Sequence, residues 1–336
     1  MDPFSRYLTA LETTMRRATA PKPESPSLLY GMLHYHLGWV DTEFNPVHSN
    51  AGKRLRPVFL LLVCEAQGGD WRQALPAAAA VELLHNFSLI HDDIEDQDPL
   101  RRGRATLWSL WGEAQAINAG DTLFSLAYRA LHQLQETHLA PHQILRIHTR
   151  FTETTVQLTE GQCMDIAFEK DNDVDEATYL RMVKGKTAAL AGLACEVGGL
   201  IADAPAERVA ALRDFGYHVG MSFQMQDDLL GLWGDPARTG KPVGSDLRQH
   251  KKTLPILHGL AHSSTLRTLL QKPQLDEEDI GKAQEILETV GSRAYTERRA
   301  RAYHQKALEA LERSQGVGEA QQALYDLTQR LLNRDQ

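Results

Sequence analysis

Five acids fall within seven residues of this chain. They are Asp92, Asp93, Glu95, Asp96 and Asp98, and Arg101, Arg102 and Arg104 follow directly. At helical spacing Asp92 and Asp96 stand ~40° apart around the axis and ~6 Å apart along it, so their carboxylates converge. Carboxylates crowded this way repel one another unless protons or cations intervene. An acidic helix end is often only a solvated face. Here, however, the preceding run AAAAVELLHNFSLI (77–90) reads as buried, which places the acids at the mouth of a cavity. Oxygen-only ligands suit Mg²⁺ or Ca²⁺ rather than zinc.

The pattern recurs at FQMQDD (223–228), where apolar residues again run into paired acids, Asp227 and Asp228, with Gln224 one turn earlier. Basic residues cluster in separate stretches: Lys53, Arg54 and Arg56; Arg101 and Arg102; Lys184 and Lys186; Lys241, Arg248, Lys251 and Lys252. Arginines at a helix start can merely snorkel. Joined to free helix-start N–H groups, they make an anion site suited to phosphate. His85 lies about two turns before Asp92 and near its face. A lone helical histidine is more often a packed core or surface group than a ligand. Gln162 and Asp165, three apart, share a face and form either a satisfied core network or part of a lined cavity. Together these residues describe an apolar cavity whose mouth holds Mg²⁺ and a polyanion, best matched by a diphosphate carrying a hydrocarbon tail. Nucleotide chemistry fits poorly, because no phosphate-cradling glycine loop occurs and the acids sit on helices.

The elements that must position these groups read as helices. Amphipathic or apolar periodicity predicts helices over about 3–19, 28–39, 75–97, 106–135, 141–169, 179–200 and 205–232, with further helices to about 332. Three prolines within 21–26 break the first from the second. No stretch alternates convincingly as a strand, and no repeat period is present. The fold class is therefore all-α. With 336 residues, 42% of them apolar and 24% charged, the chain has the composition of a soluble globular protein. A net charge of −8 argues against general affinity for nucleic acid. Cys64, Cys163 and Cys195 are too few and scattered for a disulfide framework, which fits a reducing cytoplasm. The N-terminal residues carry early acids and no continuous apolar core, so no signal peptide is expected. No membrane span is expected either. KDNDVDEATY (170–179) lacks the glycine and terminal glutamate of a calcium loop and reads as a turn with an N-cap. His142 and His148 lie about 240° apart on a helix, and His34 and His36 face different sides, so zinc is set aside.

Several motifs resemble those of the trans-isoprenyl diphosphate synthases: GKRLRP (52–57), DDIED with LRRGR (92–104), GQCMD (161–165), Lys186-Thr187, FQMQDD (223–228) and GKPVGSDLRQHKKTLP (240–255). They stand in that family's order. The resemblance implies one all-α domain over 1–336, a helical bundle around a central cavity, usually a cytoplasmic homodimer using about three Mg²⁺ ions. It implies isopentenyl diphosphate and an allylic diphosphate as substrates, no nucleic acid partner, and at most peripheral membrane contact through the apolar product. Carried over by position, Asp92 and Asp96 would hold two Mg²⁺ ions and Asp227 a third from across the cavity. Lys53, Arg56, His85 and Arg102 would bind isopentenyl diphosphate, while Arg101, Lys186, Lys241 and Lys251 would bind the allylic diphosphate. Thr187 and Gln224 would flank the carbocation. One departure stands out: the family's second acidic motif reads DDxxD, whereas this chain has DDLLG, with Gly231 in the last place and Asp235 four residues further on. Phe87, five residues before Asp92, with the small Ser88 after it, resembles the floor of a geranylgeranyl-type cavity and implies a twenty-carbon product. Farnesyl or longer-chain synthesis, terpene cyclisation on the same fold, and a non-catalytic partner subunit are the alternatives.

Overall fold

A computed structural model describes residues 4–47, 49, 52–168, 171, 173–235 and 243–332. The chain forms helices α1 (Ser5–Ala18), α2 (Ser27–His36), α3 (Leu55–Ala66), α4 (Leu75–Glu95), α5 (Leu107–Trp111), α6 (Glu113–His132), α7 (Pro141–Phe168), α8 (Glu176–Val183), α9 (Ala189–Ile201) and α10 (Ala206–Trp233). After them come α11 (Ser245–Arg248), α12 (Leu254–His262), α13 (Ser264–Leu269), α14 (Glu277–Thr289), α15 (Ser292–Arg313) and α16 (Gly318–Leu332). The all-α reading holds. Among the described residues, no helix is long and apolar enough to cross a membrane.

The residues divide into two compact units. The first contains Met1–Arg150, Ala194–Val209 and Gly316–Leu324. Its most extensive helix pair is α4 against α6. Pro76 is tolerated because it stands in the first turn of α4, where its missing N–H has no helical partner. Ala77, Ala78, Ala79 and Ala80 are all buried and allow close approach. The facing stripe of α6 is equally small: Ala116, Ala119, Gly120, Leu123 and Ala127 recur at helical spacing and are buried. A Cβ at Gly120 would fall on the ring of His91, so this position admits only glycine in the present packing.

Three expectations need correction in detail. The predicted helix over 106–135 is divided at Gly112, whose φ of 83° lies outside the helical region and separates α5 from α6. A 3₁₀ turn, Gln133–Glu136, ends it. Next, LRRGR contains a two-residue hairpin, in which Leu100 pairs with Ala105 and Arg101 with Arg104. It is too short for any alternation to register in the sequence. Its tip uses left-handed backbone at Arg102 and Gly103 (φ 53° and 76°).

The second unit contains Phe151–Leu193, Ala210–Gln315 and Tyr325–Gln336. Here the third correction falls. The expected helix over 179–200 is α8 and α9 joined by a π-helical turn at Lys184–Ala188, and single π turns recur at functional sites. Asp175 caps α8 by accepting from the Thr178 N–H, as expected of a turn with an N-cap. One core cluster gathers Phe168, Tyr179, Met221, Met225, Leu254 and Ala300. Another gathers Leu232, Leu247, Ile256, Leu266, Ile280 and Leu287.

Candidate active site

In the first unit the basic residues meet at the start of α3. Lys53 is exposed in the loop. Arg54 adopts left-handed backbone (φ 46°), and its guanidinium pairs with Glu12. That arginine is therefore committed to structure. Arg56, in the first turn of α3, lies with Nη1 3.2 Å from Nε2 of His85 on α4. A guanidinium only donates, so Nε2 accepts and the imidazole proton belongs on Nδ1. Burial holds His85 well below the ordinary histidine value, and the fields of Arg56, Arg102 and Arg101 act in the same direction. His85 is thus a neutral dipole among cations. The hairpin delivers Arg102 to the same place. Its guanidinium carbon lies 2.6 Å from where a Cβ on Gly52 would stand, and Gly52 has φ 90°. The glycine of GKRLRP is therefore needed twice, for its backbone and for the arginine above it. Beneath the group sits Glu82, 3% exposed, whose carboxyl is raised by burial against the lowering fields of Arg54 and Arg56. Asn86 donates to Glu82 Oε1 at 3.1 Å. Sequence reasoning missed Glu82, because it lies inside an apolar run and the arginines whose fields act on it come from other segments.

The first acid pair splits. Asp93 is 2% exposed and accepts from Arg101 Nε at 2.5 Å. Burial pushes it up to about 6, opposed by Arg101. Asp92 remains half-exposed and touches Arg101 Nη2 at 3.3 Å. Asp96, the C-cap of α4, is also partly exposed. Asp92 and Asp96 therefore share an accessible face while Asp93 turns inward. Glu95 is exposed, and Asp98 only partly so. Arg104 is a structural clamp, donating to Tyr35 O, Val40 O and Ser49 Oγ at 2.8–3.0 Å. A cavity of about 30 Å³ lies among His36, Asp93, Arg101, Arg102 and Arg104.

One turn back along α4, the Phe87 ring packs against His91 (centroids 4.8 Å apart) and against Phe124 of α6 (5.0 Å). Phe124 in turn meets Tyr128 edge-on at 5.3 Å. The candidate floor is thus a layer of rings from two helices. Only Phe87 was singled out from sequence, because its partner lies 37 positions away on α6. Ser88 Oγ donates back to His85 O at 2.8 Å.

The second unit holds the other set. Gly161 of GQCMD has a clear physical role: a Cβ there would strike the backbone nitrogen of Lys186. This contact seats the π turn on α7 and lets Lys186 Nζ donate to Asp165 Oδ2 at 2.5 Å. Lys184 is exposed. Thr187 Oγ1 donates to Gln224 Oε1 (2.9 Å), and Gln224 Nε2 donates to Asp228 Oδ1 (3.1 Å). Asp228 is 2% exposed and also accepts from Tyr179 Oη at 2.5 Å and the Leu254 N–H at 2.9 Å. Burial pushes it up to about 7 despite these donors. Asp227 remains half-exposed. Once more the first acid of the pair is accessible and the second is structural. Lys251 is half-buried, its N–H donating to Asp246 O at 2.9 Å. Lys241 lies outside the described residues. Asp235 is exposed.

The accessible acids offer carboxylate oxygens only, the donor type of a hard cation. Among the described residues no three ligand side chains converge on one point.

Comparison with known proteins gives the family. The polyprenyl synthetase family profile matches residues 38–290. A "(2E,6E)-farnesyl diphosphate synthase" of Mycobacterium bovis is 40% identical over 312 residues, covering 90% of this chain and 85% of the relative. A "Geranylgeranyl diphosphate synthase" of Mycobacterium tuberculosis is 40% identical over 285 residues, covering 83% and 80%. The crystal structure of a geranylgeranyl pyrophosphate synthetase from Pyrococcus horikoshii superposes with a TM-score of 0.87 at 33% identity, covering 98% of this chain and 97% of the other. The chain belongs to the polyprenyl synthetase family and is a prenyltransferase, making prenyl diphosphates.

Proposed function

We propose that this enzyme condenses isopentenyl diphosphate with an allylic diphosphate, head to tail, and releases geranylgeranyl diphosphate. The observation that carries the reading is the way each acid pair divides. Asp92 with Asp96, and separately Asp227, stay accessible, while Asp93 and Asp228 are buried to hold their neighbours in place. Asp92, Asp96 and Asp227 are the Mg²⁺ ligands in this reading, with about three ions per site. Bound there, the metal neutralises charge on the departing diphosphate.

The chain's own groups do the rest. Lys53, Arg56 and Arg102 grip the isopentenyl diphosphate, and His85, kept neutral, offers a hydrogen bond without adding a fourth cation. Arg101, Lys186, Lys241 and Lys251 take the allylic diphosphate, whose charge grows as its C–O bond breaks. Thr187 spends its hydroxyl proton on Gln224, so its oxygen lone pairs are left to face the allylic cation. The isopentenyl double bond attacks that cation, a C–C bond forms, and the released diphosphate takes the proton lost from the adduct. Apolar walls keep water from the cation.

Product length rests on the ring layer. Phe87, braced by Phe124, closes the path along α4, and Ser88 beside it leaves depth that a second aromatic would remove. The relatives at 40% identity include both farnesyl and geranylgeranyl synthases, so the support for twenty carbons is the ring layer alone. We take 1–336 to act as one catalytic domain, as a homodimer in the cytoplasm. Phe87→Ala should shift the product to longer prenyl diphosphates by mass spectrometry. An unchanged product profile would remove Phe87 as the floor.

A further inference from the structure

The second acidic motif ends in glycine, yet the space over that glycine holds an acid. Gly231 stands one turn after Asp227 on α10, on the same face, ~6 Å along the axis. A Cβ built at Gly231 would fall on the carboxylate of Asp246, meeting Oδ2, Cγ and Oδ1. Asp246 comes from α11, whose short turn docks on the end of α10. Ser245 Oγ donates to Gly231 O at 3.3 Å, and the turn is backed by Ile280 over Gly244. We propose that Asp246 supplies, from α11, the carboxylate that position 231 lacks, and so positions the metal ion held at Asp227. This deepens the functional reading above and rests on it.

The geometry ties the two departures together. Because Asp246 Oδ2 lies where a side chain at 231 would begin, its carboxylate occupies much of the volume that an aspartate there would fill. The two arrangements exclude each other, and glycine is what lets Asp246 approach. Asp246 is partly exposed, so its oxygens can be reached by a hydrated cation.

The test is a Mn²⁺ titration of the full-length protein with inorganic diphosphate, followed by electron paramagnetic resonance, with thermal unfolding of each variant alongside. Asp246→Asn should weaken the least tightly bound ion about tenfold, the size expected when a carboxylate supporting a metal site is lost. The ions that depend on Asp92 should be unaffected. The double variant Gly231→Asp with Asp246→Ala clears that volume, restores the acid on the helix and should recover affinity to within about threefold of the parent. An Asp246→Asn protein that titrates like the parent overturns the proposal, as does a folded double variant that regains nothing. Asp92→Asn separates the two levels of the argument. If it loses ions while Asp246→Asn does not, only this proposal falls; if neither loses any, the wider reading falls with it.

Discussion

The two acid pairs solve one problem with different chemistry. Each lies toward the C-terminal end of a helix, and each leaves its first aspartate partly exposed and buries its second. In the first unit the buried acid, Asp93, is answered by a cation, Arg101, which also reaches Asp92. In the second unit, among the described residues, the buried acid Asp228 is answered only by neutral donors: a phenol, a backbone N–H and an amide. The first arrangement ties Arg101, proposed to bind the allylic diphosphate, to Asp92, proposed as a metal ligand. The second ties Asp228, through Gln224, to the hydroxyl of Thr187. The buried partner in each pair thus braces a different group, Arg101 in one and the Gln224–Thr187 chain in the other, and in the proposed function these are an anion clamp and a polar group facing the cation.

That contrast can be broken experimentally. The largest effect is expected at the accessible acids: Asp92→Ala should lower kcat by about 10³-fold and Asp227→Ala by about 10²-fold, the range for losing preorganised electrostatic stabilisation. Steady-state assays check both, and equal activity in either variant would remove that acid from the site. Next come the buried partners, read by denaturant unfolding. Asp93→Asn leaves Arg101 without its closest countercharge and should cost about 3 kcal/mol. Asp228→Asn keeps an oxygen toward Tyr179 and Leu254 and sacrifices the bond from Gln224, costing about 1 kcal/mol. If the two cost the same, the distinction between charged and neutral support fails. The smallest effect is a pH dependence. His36 is held down at about 3, first by burial and then by the fields of Arg101, Arg102 and Arg104. A histidine depressed in the folded state adds nothing to pH dependence above its unfolded value near 6.5, and stability falls as pH drops below that. Between pH 6.5 and 5.5 the loss should approach about 1 kcal/mol. His36→Gln should flatten that part of the unfolding curve.

How much of this was legible in the sequence depends on how far apart the partners lie. The acid pairs, the basic clusters and Phe87 were readable because type and spacing sit in one stretch. Helical periodicity gave the all-α class, but not the breaks. Gly112 leaves the helical region by its backbone angle, and the π turn at Lys184–Ala188 follows from Gly161 packing against it from α7. Such contacts have no local signature. The same holds for Glu82, Tyr179, Phe124 and Asp246. Each is an ordinary residue in its own segment and gains its role from groups 15 or more positions away. Paired acids could not be sorted by sequence into outer and inner members either, since burial of Asp93 and Asp228 is a tertiary fact. In hindsight one signal was available: a motif that lacks its last acid invites a search for a replacement among the acids of the following motif.

The most direct measurement of the central claim is product analysis. Purified full-length protein is incubated with Mg²⁺, isopentenyl diphosphate and farnesyl diphosphate, and products are identified by mass spectrometry. The expected result is a linear twenty-carbon diphosphate, with no further elongation. A cyclised hydrocarbon, or recovery of both substrates unchanged by a folded protein, would contradict it.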